Sequence, residues 1–145
     1  MSTQTGAILS QAPEESITIV KEFGYNLGIA FQIMDDILDF AGSEEEMGKP
    51  IGSDLTQGTL SLPSMLFMER YPKDNPVQEL FKKRQNHEDI KKAIDMVRNS
   101  TIIQECYEEA SDYRDRACRN LVRLPNESNR NALIELANYV VERKR

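Results

Sequence analysis

Histidine and cysteine are nearly absent from this 145-residue chain, and basic residues are outnumbered. The single histidine, His87, sits in the polar stretch Gln85-Asn86-His87-Glu88-Asp89, where a helix start or a surface place is expected rather than catalysis or metal binding. No Ser/His/Asp or Cys/His arrangement for side-chain nucleophilic catalysis can be drawn from so few of these groups. Cys106 and Cys118 are expected on one helix, about 18 Å apart at 1.5 Å per residue, too far to bridge. Reduced thiols and a cytoplasmic location are the expectation. A formal net charge of −6 and a pI near 4.9, without a basic stripe interleaved with aromatics, exclude nucleic acid as the expected partner. No apolar run has membrane-spanning length, and no stretch has the basic, apolar and small-residue regions of a signal peptide.

The run Phe31-Gln32-Ile33-Met34-Asp35-Asp36-Ile37-Leu38-Asp39-Phe40 sets three carboxylates into an otherwise apolar helical pattern. At about 100° per residue, Gly28, Gln32, Asp35 and Asp39 share one face, with Asp36 and Tyr25 at its margin. Phe23, Leu27, Ala30, Met34, Ile37, Leu38 and Ala41 lie on one side of that face, and Ile29, Ile33 and Phe40 on the other. A helix apolar nearly all round belongs in a core, where unpaired carboxylates are costly. The acid stripe calls for a cation or a wet cavity. Asp35 and Asp39 repel across one turn, and a divalent ion would relieve that. Mg²⁺ takes one or two carboxylates, several waters and phosphate oxygens. A solvated acidic face on a surface helix is the plainer alternative.

The following residues, Gly42-Ser43-Glu44-Glu45-Glu46-Met47-Gly48-Lys49-Pro50-Ile51-Gly52-Ser53-Asp54-Leu55, read as a glycine-punctuated loop. Lys49 and Asp54 add a cation and a further carboxylate, a combination suited to a diphosphate group. The triplet Glu44-Glu45-Glu46 is expected to be a solvated charge run.

Gly24 to Phe40, followed by Gly48-Lys49-Pro50-Ile51-Gly52-Ser53-Asp54-Leu55, resembles the second aspartate-rich region of trans-isoprenyl diphosphate synthases. Gly6-Ala7-Ile8-Leu9-Ser10 and Ala12-Pro13-Glu14-Glu15 are similar to the preceding helix end and loop of the long-chain polyprenyl members. An isolated Asp-Asp-x-x-Asp is a weak signal. With Phe-Gln before it and Gly-Lys-Pro-x-Gly-x-Asp-Leu after it, the signal is specific.

That resemblance implies an all-α fold, the C-terminal helices of an isoprenoid synthase-type bundle without separate domains. It implies that Asp35 and Asp39, supported by Asp36, hold Mg²⁺ against the diphosphate of an allylic substrate. Lys49 would contact that diphosphate, with Gln32 also on it, and Asp54 would act in the outer shell of the metal site. Phe31 and Gln32 would line the place where the allylic cation meets isopentenyl diphosphate. The implied reaction is ionisation of the allylic diphosphate, attack by the isopentenyl double bond and loss of a proton. A homo-oligomer is also implied.

Two departures bear on the resemblance. The family pattern Gly-Lys-x-Thr-Leu-Pro reads Gln57-Gly58-Thr59-Leu60-Ser61-Leu62-Pro63 here, with Thr59 at the usual second lysine. The first aspartate-rich motif of the family would precede Gly6, so these residues correspond to a C-terminal half, and the chain alone is expected to be inactive. A non-catalytic helical partner subunit retaining the motif remains an alternative. A terpene cyclase fragment is disfavoured, because its second metal motif is usually an Asn/Ser/Glu pattern.

The chain otherwise reads as helices throughout. One ends near residue 11 before Pro13, and a second spans Glu14, with acids in its first turn, to about Phe40. Residues 41–57 are expected as loop. Leu60–Tyr71 follows with Pro63 in the first turn, then 75–84 and 87–99. A long helix is expected from Thr101 to about Leu124, with Ser100 as N-cap and Gln104 near the capping-box position. A last helix over 128–143 would turn Leu133, Leu136, Ala137, Val140 and Val141 inward. Glu142-Arg143-Lys144-Arg145 is expected to be a solvated tail, with a lid as the sharper alternative.

Overall fold

The computed structural model describes residues 2–42, 50–73, 75–82 and 87–143, and among these every regular element is a helix. The all-α expectation holds. In chain order the α-helices are α1 (Ser2–Leu9), α2 (Glu14–Ala41), α3 (Ser53–Thr56), α4 (Leu62–Arg70), α5 (Pro76–Lys82), α6 (His87–Arg98), α7 (Ile102–Cys118) and α8 (Glu127–Glu142), with a 3₁₀ turn at Leu121–Arg123. Packing divides the chain into two compact units, residues 1–34 with 108–143, and residues 35–107.

The first unit is built on the early part of α2. Ile19, Phe23 and Leu27 recur every four residues, so one face of the helix stays apolar over two turns. Ile19 and Phe23 are buried with Ala117, Leu121 and Ala137, and Leu27, Cys118, Leu124, Leu133 and Ile134 pack around them. Polar pairs rim this core: the Asn120 amide donates to Glu22 at 3.0 Å, Arg114 donates to Asn138 at 2.8 Å, and Arg123 pairs with Glu15. Asn126 caps α8 by accepting the Asn129 N–H at 2.9 Å, which supplies one of the donors a helix start leaves unsatisfied.

Here the structure corrects two expectations. The long helix stops at Cys118, and the 3₁₀ turn that follows carries Leu121, fully buried, into the core. Leu136, expected inward, is 48% exposed, because the buried stripe of α8 runs through Ala137 and Val140 instead.

The second unit gathers α3 to α6 around the end of α2 and the start of α7. Ile90, Ala93, Ile94 and Val97 form the buried stripe of α6, facing a core that includes Phe40, Leu55, Phe67, Val77 and Leu80. Two polar residues form its corners. Asn75, 2% exposed, donates to the carbonyls of Phe67 at 3.3 Å and Tyr71 at 2.7 Å, and accepts the Gln78 N–H at 3.2 Å. One amide thus closes α4 and opens α5. Ser100 donates to the Val97 carbonyl at 2.6 Å and accepts the Ile102 N–H at 3.2 Å, ending α6 and starting α7. At the start of α7 the Thr101 hydroxyl donates to Glu105 at 3.0 Å.

Candidate functional site

The exposed side of α2 runs from Glu14, Thr18, Lys21 and Glu22 into the second half of the helix. Tyr25, Gly28, Phe31 and Gln32 are exposed and Asp35 and Asp36 half-buried, while Ile33, Met34, Ile37, Leu38 and Phe40 are buried. At helical spacing Gly28, Gln32 and Asp35 fall in one row. The row ends at Asp39, whose side chain is fully buried.

Asp39 is engaged by the chain itself. Its Oδ1 accepts the Ser53 hydroxyl at 2.7 Å, its Oδ2 accepts the Asp54 N–H at 3.1 Å, and its main-chain carbonyl accepts the Gly52 N–H at 2.7 Å. These bonds fix the start of α3, a turn that lies inside the segment expected as loop. Both Asp39 oxygens thus accept protein donors.

Gly52 explains how the chain can turn so close to α6. Its φ of +69° is a left-handed conformation, and a Cβ there would drive into the Ile94 side chain. Only glycine meets both demands.

Asp36 performs a similar service for α4. Its Oδ2 accepts the Leu62 N–H at 2.9 Å, while the N-cap residue Ser61 makes no side-chain cap. Pro63 follows with no N–H to satisfy. Asp54 is half-buried on α3, and its carbonyl accepts the N–H groups of Gln57 at 3.1 Å and Thr59 at 2.8 Å. Thr59, at the usual lysine position, is exposed. Lys49 and the acidic triplet lie outside the described residues. Among the described residues, no three His, Cys, Asp or Glu side chains gather as they would for a metal caged wholly by protein.

Ser53, Leu62 and Arg143 were not identified from the sequence as site residues. The first two act through bonds closed over 14 and 26 residues. Arg143, expected in a solvated tail, is half-buried: its guanidinium lies 4.0 Å from the centroid of the Phe31 ring, and Nη2 donates to the Phe31 carbonyl at 3.1 Å.

The model of the polyprenyl synthetase family matches residues 1–97, the part that holds the whole acid stripe and the Gly-Lys-Pro segment. The chain belongs to the polyprenyl synthetase family. It is 38% identical over 98% of its length to a decaprenyl-diphosphate synthase of Dictyostelium discoideum, covering 31% of that protein. It is 35% identical over 99% of its length to heptaprenyl diphosphate synthase component 2 of Bacillus subtilis, covering 41% of it. The crystal structure of a heptaprenyl diphosphate synthase from Staphylococcus aureus matches 99% of this chain with a TM-score of 0.92 at 32% identity, over 45% of that protein. A polyprenyl synthase from Caulobacter crescentus, complexed with calcium and isoprenyl diphosphate, matches 98% of the chain with a TM-score of 0.88 at 30% identity, over 44% of that protein. This member of the polyprenyl synthetase family thus spans less than half the length of these relatives. No helix among its described residues is long and apolar enough to cross a membrane.

Proposed function

We propose that these residues form the part of a polyprenyl diphosphate synthase that receives the diphosphate of an allylic substrate, with isopentenyl diphosphate as the second substrate. The observation that carries this reading is the open strip of α2. One unbroken helix exposes Phe31 and Gln32 and half-buries Asp35 in a chain of the polyprenyl synthetase family.

The donor set fits a hydrated Mg²⁺ better than a caged ion. Mg²⁺ keeps several waters and needs only one or two carboxylates beside substrate phosphates. Asp35 would hold it, and Asp36, with one oxygen on Leu62, would contribute from the margin. When bound, Mg²⁺ supplies positive charge against the diphosphate oxygens as they become a leaving group.

The remaining chemistry falls to side chains. Lys49 adds a point charge on the departing diphosphate, where negative charge grows as the carbon–oxygen bond breaks. Gln32 donates its amide hydrogens to the same group. Phe31 walls the place where the allylic carbon meets the isopentenyl double bond, excluding water that would otherwise trap the cation. Asp39 and Asp54 act on position rather than on the ion, by fixing the turn that follows Lys49.

Incubation of the natural polypeptide carrying these residues with Mg²⁺, farnesyl diphosphate and labelled isopentenyl diphosphate tests this reading. A longer prenyl diphosphate is the expected product, and its absence overturns the assignment. Residues 1–145 alone carry only one acid stripe and should give no longer product.

A second reading concerns assembly. Because one relative is named as component 2 of its enzyme, the chain is read as working within an oligomer, as copies of itself or beside a different subunit. A reducing, cytoplasmic setting belongs to the same reading.

A further inference from the structure

We propose that Arg143 is a positioning residue for Phe31, a latch by which α8 holds the aromatic wall of the reaction site. The inference rests on the reading that Phe31 lines that site. Arg143 grips Phe31 at two points: the guanidinium stacks on the ring at 4.0 Å, and Nη2 bonds the main-chain carbonyl at 3.1 Å. The two contacts restrain different freedoms, the ring rotamer and the backbone that carries it.

Phe31 needs such restraint. Its side chain is 41% exposed, and an exposed aromatic on a helix surface keeps access to more than one staggered rotamer. With one face against the guanidinium, the ring is held in a single orientation on α2.

The latch is itself mounted on a fixed element. Arg143 is the C-cap of α8, and its N–H donates to the Tyr139 carbonyl at 2.9 Å. The preceding turns of α8 are pinned by buried Ala137 and Val140. Side chains that orient a site act best from rigid elements. Arginine suits the task because a planar guanidinium can stack and donate at once, whereas an ammonium cannot do both in this geometry.

The test is a double-mutant cycle in the natural polypeptide carrying these residues, read as kcat and KM for allylic diphosphate beside melting temperature. Arg143→Ala should lower kcat about tenfold and leave KM within about twofold, the pattern of misplaced reacting groups rather than lost binding. Arg143→Lys should recover part of that loss. In a Phe31→Leu background, Arg143→Ala should cost almost nothing more, because contacting residues that act as a unit are non-additive. A second readout needs no activity: trypsin cleavage after Arg143, followed by mass spectrometry, should accelerate in Phe31→Leu.

Additive losses in the double mutant, or a kcat defect matched by unfolding at the assay temperature, would overturn the assignment of Arg143. A parent protein without prenyl transfer would instead overturn the reading of the site, and is recognised before any variant is compared.

Discussion

The Ser53 hydroxyl donates to the carboxylate of Asp39 at 2.7 Å, with both side chains buried. Substituting Ser53→Ala removes a donor from a buried carboxylate and leaves that oxygen short of a partner. Such losses cost about 1–3 kcal/mol. Urea unfolding should show a drop of that size for Ser53→Ala, while Asp35→Ala on the open strip should change stability by much less. Equal stability losses at Ser53 and Asp35 would remove the proposed distinction between the bracing Asp39 and a cation-holding Asp35.

Gly52 and Gly58 offer a matched pair. Both have positive φ, +69° and +74°, but only Gly52 has a neighbour in the way, the Ile94 side chain. Gly58→Ala should cost roughly 1–2 kcal/mol for the left-handed backbone alone. Gly52→Ala adds overpacking against Ile94, worth roughly 1–3 kcal/mol more. A melting series of the two variants checks the order, and a milder effect at Gly52 would contradict the close approach of the turn to α6.

Much of this arrangement was legible in the residues. The period of 3.6 placed Phe23, Leu27, Ala30, Met34 and Ile37 on a common side of α2, and Pro63 and Pro72 bracketed α4. The acid stripe stood out for a physical reason: carboxylates rarely interrupt an apolar helix without a task. What stayed hidden depends on contacts distant in sequence. Ser53 closes a bond over 14 residues, Leu62 over 26 and Arg143 over 112. Nothing local marks a serine as the partner of a buried aspartate, or a terminal-looking arginine as the cover of an aromatic ring. The early end of α7 was hidden too, because Leu121 leaves the helix for a core assembled from α2 and α8.

Cys118 carries a pH signature. Burial pushes its thiol up, opposed by the positive charge of Arg114 and reinforced by Asp115. The native state therefore keeps its proton where an unfolded chain would lose it. This contribution to stability is complete below the ordinary thiol pKa of about 8.5 and is lost as pH rises through the raised native value. Iodoacetamide labelling at pH 8 should be slower at Cys118 than in a denatured control, and should keep accelerating above pH 9. Cys106, fully buried, should label only as the fold opens. Denatured-like rates at Cys118 would refute the shift.

Self-association should be visible in residues 1–145. Leu9 is 79% exposed, Ile8 53% and Tyr25 69%, and no residue of α1 is buried. Adjacent exposed apolar side chains such as Ile8 and Leu9 favour association. Light scattering over a concentration series is expected to show mass above the monomer, with Ile8→Ser and Leu9→Ser together lowering it. A compact monomer that binds no hydrophobic dye would contradict this.

Asp35 and Glu45 set the carboxylate proposed to hold Mg²⁺ against a charge of the same sign nearby in sequence. Asp35 is half-buried on a rigid helix, one turn before the braced Asp39 and beside Gln32 in the open row. Glu45 belongs to an acidic triplet outside the described residues, where a solvated charge run is expected. In the natural polypeptide, Asp35→Ala should lower kcat by about 10²–10³, the scale set by removing one group that stabilises charge in a transition state. Glu45→Ala should change it little. Half-saturation by Mg²⁺ should rise for Asp35→Ala and stay put for Ser53→Ala, whose defect is in folding. Melting temperature decides whether the rate loss is chemical: a carboxylate that faces a cation leaves the apo fold almost unchanged when removed, so an Asp35→Ala protein that loses activity only by unfolding would make the stripe structural.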